Sequence, residues 1–391
     1  MDNKKIIELL YSEEPVLCYE NNLKTFGESR LFDFTKVFYE PSNAPFSKLD
    51  IEKTFGKYSI INLANYEKLM VIDKKTVNQN FNFLLEICVD LDSNVMGDIK
   101  DMVFDKKNNE NLLNALEYCK QNNLRLSCMP YLIEMTFNDH EKKDIDIYNT
   151  LLCFSVVCNI SIEELKKKKN IDEYLAENSN LLLETDARFN EMKNYYNRNV
   201  MTYKHVYILV LKMFIIYNIS KKSPKNKLLE FLETMTSEYN IYFELEINVA
   251  FSYFNNDSGN IFYNIMANSK NKIKKLKALS WDVYHIRNEE TAMGERNSHS
   301  AQIYLHTFLT ADKGLSKVMR NNKIERMLSI DGQMKVLRVK PFEKIEDEKF
   351  IERLNDIIEQ YISNKKNSIG LSENNINSKI EQLERKIITE F

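Results

Sequence analysis

Residues Leu84 to Met96 read LLEICVDLDSNVM, and how this stretch is read decides what the rest of the chain is for. Leu84, Leu85, Ile87, Cys88, Val89 and Leu91 form a short apolar run. Such a run fits a strand buried on both faces of a parallel sheet. It stops at Asp92-Ser93-Asn94, residue types that favour turns and helix N-caps. A carboxylate at the carboxyl end of a buried strand stands where open α/β sheets place their ligands. Asp92 is therefore the first candidate for an acidic cation site. Asp90, two residues earlier, points to the same face of a strand and is its rival.

Composition bounds the rest. The chain has 391 residues, 43% hydrophobic and 11% aromatic, enough for a substantial core. Only 8 Gly and 6 Pro argue for long helices over a many-stranded sandwich. With 54 basic and 57 acidic residues the net charge is -3, which excludes a chain-wide basic surface and leaves local patches for any nucleic acid. The cysteines at 18, 88, 119, 128, 153 and 158 include no C-x-x-C pair and no histidine at ligand spacing. Zinc is not expected on that pattern, and buried free thiols in a reducing cytoplasm are. The opening MDNKKIIELLYSEEP has no apolar segment followed by a cleavage site, so secretion is not expected either. The longest apolar run, VYILVLKMFIIYNI from Val206 to Ile219, contains Lys212. It is shorter than the roughly 20 residues a membrane span needs and reads as a buried core helix.

Periodicity gives the order of elements. Residues 1–80 read as a small α/β or helical region, with a short strand at Lys68–Ile72 that could be an extra edge of the sheet. Leu112, Leu113, Leu116 and Cys119 share one helical face. Leu124–Met129 has strand character, is stopped by Pro130, and leads into a helix carrying Glu134. Ser161 to Glu164 fits a capping box, and Ser223-Pro224 marks a break before the amphipathic run Leu228, Leu229, Phe231, Leu232 and Met235. Ile265–Glu290 reads as one helix or two, basic at its start and carrying Trp281-Asp282. Ile303–Leu309 is a strand running into Thr310-Ala311-Asp312, Lys313–Arg320 a helix, and Met334–Val339 a last strand. Residues 344–391 are helical, with Ile376, Ile380, Leu383 and Ile387 on one seam that could pair two copies of the chain.

Four segments share one feature, a carboxylate at a strand end or on the first turns of a helix: Asp92, Glu134, Asp282 and Asp312. Here the sequence resembles the PIN domain family of metal-dependent nucleases. The hydrophobic-D-S-N pattern at Asp92-Ser93-Asn94, the Pro130-to-Glu134 element, Asp282 opening a helix, and the T-x-D at Thr310-Ala311-Asp312 occur in the family's order. The interval of 148 positions from Glu134 to Asp282 is far more than a compact PIN domain needs, so the resemblance implies a large helical insertion. The expected architecture is α/β: a PIN-like parallel sheet flanked by helices, with that insertion and a helical C-terminus. Its boundaries fall at 1–80, 81–145, 146–264, 265–343 and 344–391.

The resemblance implies an endonuclease using Mg²⁺ or Mn²⁺, hard cations that prefer carboxylate oxygens. Asp92, Glu134, Asp282 and Asp312 would be both catalytic residues and metal ligands, with Asn94 and Thr310 orienting them. RNA is the favoured substrate over DNA, in a toxin or phage-defence effector held by a regulatory partner. The lysine cluster Lys270, Lys272, Lys274, Lys275 could touch phosphates. Each assignment has a plainer alternative. Asp92 and Asp312 could be helix caps, Glu134 a solvated helix residue, and the lysines a solvated face. Glu289 or Glu290 could replace Asp282; His285, on the same helical face as Asp282, is a candidate catalytic base whose plainer reading is a surface or packed histidine, and Trp281 reads as core rather than a base-stacking platform. The competing class is a non-enzymatic helical scaffold.

Overall fold

The computed structural model describes residues 9–26, 34–40, 51–77, 84–137, 144–192, 194–257, 260–263, 265–330, 333–364 and 373–391. The chain builds two compact units: Met1–Arg198 with Asn288–Leu337, and Asn199–Arg287 with Arg338–Phe391. These divisions differ from the boundaries expected at 80, 145, 264 and 343. Strands from the first 80 residues join the sheets of the first unit, and the helices between 144 and 192 belong to that unit too. Pro41, Pro45 and Gly259 lie outside the described residues.

Nine strands are described: β1 Lys36–Tyr39, β2 Lys53–Phe55, β3 Tyr58–Asn62, β4 Met70–Ile72, β5 Leu85–Leu91, β6 Arg125–Ser127, β7 Ile303–Thr310, β8 Ile324–Ile330 and β9 Gln333–Arg338. The main sheet has the order β2-β3-β7-β5-β6. β5, the stretch that opened the analysis, pairs in parallel with both neighbours, Leu91 facing Leu309 on β7 and Asp90 facing Ser127 on β6. Its last five residues, Ile87 to Leu91, are buried, as a strand covered on both faces requires.

The sheet is nevertheless mixed, not parallel throughout. β3 runs antiparallel to β7, and β2 antiparallel to β3. The β2–β3 part is local: the two strands form a hairpin turned at Gly56, whose φ of 58 costs a glycine least. Around the sheet the helices follow their apolar faces. Ser93–Val103 buries Val95, Met96, Ile99, Met102 and Val103, and packs on Asp144–Asn159. Glu110–Gln121 buries Leu112, Leu113, Ala115, Leu116 and Cys119 against β2, β3 and β6.

A second sheet, β4-β1-β8-β9, completes this unit. The KLMVI signal is its edge strand β4, not an extra edge of the main sheet. Its core joins Leu9, Leu10, Tyr19, Val37, Tyr39, Ile72, Leu328 and Ile330. Lys36 on β1 is buried, and its ammonium donates to the carbonyls of Asn297 and Ser300 at the end of the helix Lys272–Ser298. A cation there complements the helix dipole. The same helix passes close to β9 at Gly294, where a Cβ would lie 2.5 Å from the Cβ of Met334.

The second unit is helical among its described residues, built on Tyr195–Ile219, Pro224–Glu233, Glu244–Phe254, the first part of Lys272–Ser298, Glu348–Asn364 and Glu373–Glu390. The run Val206–Leu211 is buried throughout, so the apolar segment is a core helix as expected. The stretch Asn199–Ile219 is long and apolar enough to cross a membrane, but 61% of its window is buried within the protein. Trp281 stacks on Tyr203 at 3.9 Å and on His285, which is itself buried, so both are packing residues. The seam of the last helix is covered by its own chain: Ile376, Leu383 and Ile387 are buried, and Phe391 meets Phe214 edge-on.

Candidate functional site

The main sheet ends in acids. The backbone N–H of Asp92 donates to Leu309 O at 3.0 Å, so the β5–β7 ladder continues to the residue that closes β5. Asp92 then turns into the helix Ser93–Val103, its carbonyl accepting from Met96 N at 3.0 Å. It occupies the N-cap position, yet its side chain makes no capping bond. The carboxylate, only 3% exposed, instead accepts from the Thr310 hydroxyl at 2.9 Å and from the Asn94 amide at 3.2 Å. Capping alone therefore does not account for this acid.

Thr310 closes β7 beside it. While its hydroxyl donates to Asp92, it accepts from the backbone N–H of Asp312 at 2.9 Å. Asp312 does cap its helix, accepting from Leu315 N at 2.8 Å, and is half-buried. Glu134 reaches the same edge from the third strand. β6 lies parallel to β5, so the helix that follows it, Met129–Thr136 with Pro130 in its first turn, starts at the edge where β5 ends. Ser93 Oγ donates to Glu134 Oε2. Three of the four acids singled out from the sequence thus stand at the carboxyl ends of β6, β5 and β7, Thr310 joining the Asp92 carboxylate to the Asp312 backbone N–H and Ser93 holding Glu134, although their carboxylates do not lie within 4.8 Å of one another as a group. Both sequence-named orienting residues, Asn94 and Thr310, bond to Asp92.

Asp282 belongs to the second unit, as do Lys270, Lys272, Lys274 and Lys275, so the geometry above is built without them. Lys272 donates to Ala267 O at 3.0 Å, and Lys277 pairs with Glu384 at 3.0 Å. Two clefts of about 810 and 450 Å³ also open in that unit. The larger is lined by Lys212, Lys221, Lys222 and Lys386. Lys212 and Lys222 there are already paired with Glu238 and Glu230.

Below the acidic edge lies a second cluster, which sequence spacing does not reveal. Cys88 faces His306 across the β5–β7 register, and Asp90 is two residues further along. His306 Nδ1 lies 2.7 Å from Asp90 Oδ2 and 2.8 Å from Glu289 Oε2. All four side chains are buried. Among the described residues, Cys88, Asp90 and His306 are the one group of three whose ligand atoms lie within 4.8 Å of one another. A buried triad able to hold a metal is therefore present.

Its electrostatics are strongly coupled. Burial alone would depress the His306 imidazolium, but Asp90 and then Glu289 hold its proton and raise it to about 9. Burial would raise Asp90, but attraction to His306 and hydrogen bonds from Glu289, His306 and Ser127 bring it down to about 2. Burial and the neighbouring Asp90 push Glu289 well above the ordinary carboxylate range. Glu289, weighed as a substitute for Asp282, belongs to the first unit, while Asp282 does not.

No family model, curated protein or solved structure matches the chain.

Proposed function

We propose that this chain is a PIN-like, metal-dependent endonuclease that hydrolyses phosphodiesters, RNA in preference to DNA, and acts in the cytoplasm as a toxin or phage-defence effector under a partner's control. One observation carries the reading. The Asp92 carboxylate and the backbone N–H of Asp312, 220 positions apart, meet at the single hydroxyl of Thr310, and Glu134 is joined to Ser93, the residue after Asp92.

The donors fit a hard cation. They are carboxylate and hydroxyl oxygens, and the buried Asp92 carboxylate is held by two neutral groups, Thr310 and Asn94. Bound Mg²⁺ or Mn²⁺ would supply a water of lowered pKa and neutralise charge on the leaving oxygen. Asp92, Glu134 and Asp312 would ligate it, while Thr310 and Asn94 fix the orientation of Asp92. The helices after Asp92 and Asp312 both begin at this edge, and their N-termini favour an anionic phosphate. Asp282 remains a fourth ligand candidate, and Lys270, Lys272, Lys274 and Lys275 candidate phosphate contacts.

Incubation with labelled RNA and DNA in Mn²⁺ tests this. Cleavage of RNA that Asp92→Asn abolishes is expected, together with a rise in melting temperature on adding Mn²⁺ that the same variant loses. Intact RNA and DNA, with equal melting with and without Mn²⁺, would leave the scaffold reading. The capping bond of Asp312 favours that second reading.

A further inference from the structure

We propose that Cys88, Asp90, Glu289 and His306 form a buried site for a zinc-class cation, distinct from the carboxylate edge. The strand register creates it. Cys88 and His306 are paired positions on adjacent parallel strands, so their side chains leave the sheet on one face, and Asp90 leaves on that face too. Glu289 arrives from the helix that precedes β7. The result is one sulfur, one imidazole nitrogen and one carboxylate within 4.8 Å of one another, with a second carboxylate, Glu289 Oε2, 2.8 Å from the imidazole. Cys88 Sγ lies 3.9 Å from Asp90 Oδ1. Zinc accepts such a mixed set, whereas the oxygen-only edge above it suits magnesium or manganese.

Two features call for a cation. First, two carboxylates at 1% and 2% exposure converge on one ring nitrogen, which carries at most one hydrogen and can serve one of them well. Side by side in the interior they repel unless a proton or a metal intervenes. Second, the set retains unused capacity: Glu289 Oε1, buried, has no hydrogen-bond partner among the described residues. The contacts of 2.7 and 2.8 Å are those of hydrogen-bonded groups. Loading spreads them to about 3.3 Å, the separation of tetrahedral ligands on zinc, and expels the shared protons. The competing state is a cluster held by protons alone.

The two states are separable on the full-length protein. After dialysis with Zn²⁺ and removal of free metal, elemental analysis should find about one zinc per chain. Replacement by Co²⁺ should give a sulfur-to-cobalt charge-transfer band in the near ultraviolet. Cys88→Ser should lose the band, His306→Gln should lower the retained metal several-fold, and Asp92→Asn, which disables the carboxylate edge, should keep both signals. Wild-type protein that retains no zinc or cobalt overturns the proposal whatever the variants do. So does a band that survives Cys88→Ser, or one that disappears in Asp92→Asn. None of these readouts depends on nuclease activity.

Discussion

The Thr310 hydroxyl donates to the Asp92 carboxylate at 2.9 Å across two neighbouring parallel strands, and in the same position receives the N–H of Asp312. Valine at 310 keeps the shape and removes both bonds. Thr310→Val is expected to lower Mn²⁺-dependent cleavage about 10–100-fold, as loss of a ligand-orienting partner does elsewhere. Thr310→Ser, which restores the hydroxyl, should recover most of it. Denaturant unfolding should show a cost of about 1–3 kcal/mol for the valine, since a buried carboxylate loses a donor.

The His306–Asp90 pair predicts the pH dependence of the metal-free protein. Since His306 is raised from 6.5 to about 9, its contribution is fully present below pH 6.5 and is lost as pH rises through about 9. Asp90 is lowered from 3.8 to about 2, so its contribution is present above 3.8 and is lost as pH falls toward 2. The raised Glu289 adds to the alkaline loss, because its folded form keeps a proton that the unfolded chain releases. With chelator present, the melting temperature should fall between pH 6.5 and 9, and His306→Gln should flatten that limb.

In the second unit Glu246 has no solvent exposure and receives both Nε, at 3.0 Å, and Nη2 of Arg287. Arg338 is also buried, pulled down to about 10 first by desolvation and then by Arg287. Removing the Glu246 carboxylate takes the ion-pair partner from Arg287 and one of the two carboxylates, Glu244 and Glu246, that act on the buried Arg338. Glu246→Gln should destabilise the protein by about 3–5 kcal/mol. A midpoint shift under about 1 kcal/mol would mean the charges relax into water.

Gly294 is fixed by a close approach rather than by its φ. An alanine there would place its Cβ 2.6 Å from the backbone nitrogen of Met334 as well as against its side chain. Gly294→Ala should cost about 1–3 kcal/mol by overpacking, where an alanine in an exposed helix would instead add stability. Chemical denaturation of the single variant reads the sign directly.

How much of this was legible from residues alone divides along a physical line. Local signals held: the β5 run with its stop at Asp92, the Ser161 cap accepting from Glu164 N at 3.3 Å, Pro224 opening its helix, and the apolar helix whose residues Val206 to Leu211 are buried. Each depends on side chains within one or two turns of each other. Non-local relations were not legible. The strand β8, IERMLSI, alternates too weakly to read, and is fixed by its pairing with β1. The antiparallel pairing of β3 with β7, about 250 positions apart, makes the sheet mixed, which no short window encodes. Cys88, Asp90 and His306 meet through strand register, and Glu289 comes to them from a helix, so spacing rules for contiguous zinc motifs do not apply to them.

The β5–β7 pairing has a consequence in time. Leu85 waits for Ile303, and the 217 residues between them must leave the ribosome before the centre of the main sheet can zip. Contacts of such separation are slow to form, and here they are the ones that bring Asp92 to Thr310. A nascent chain therefore carries its acids apart. If it is a nuclease, it is harmless to the messenger that encodes it until synthesis has passed the last of them.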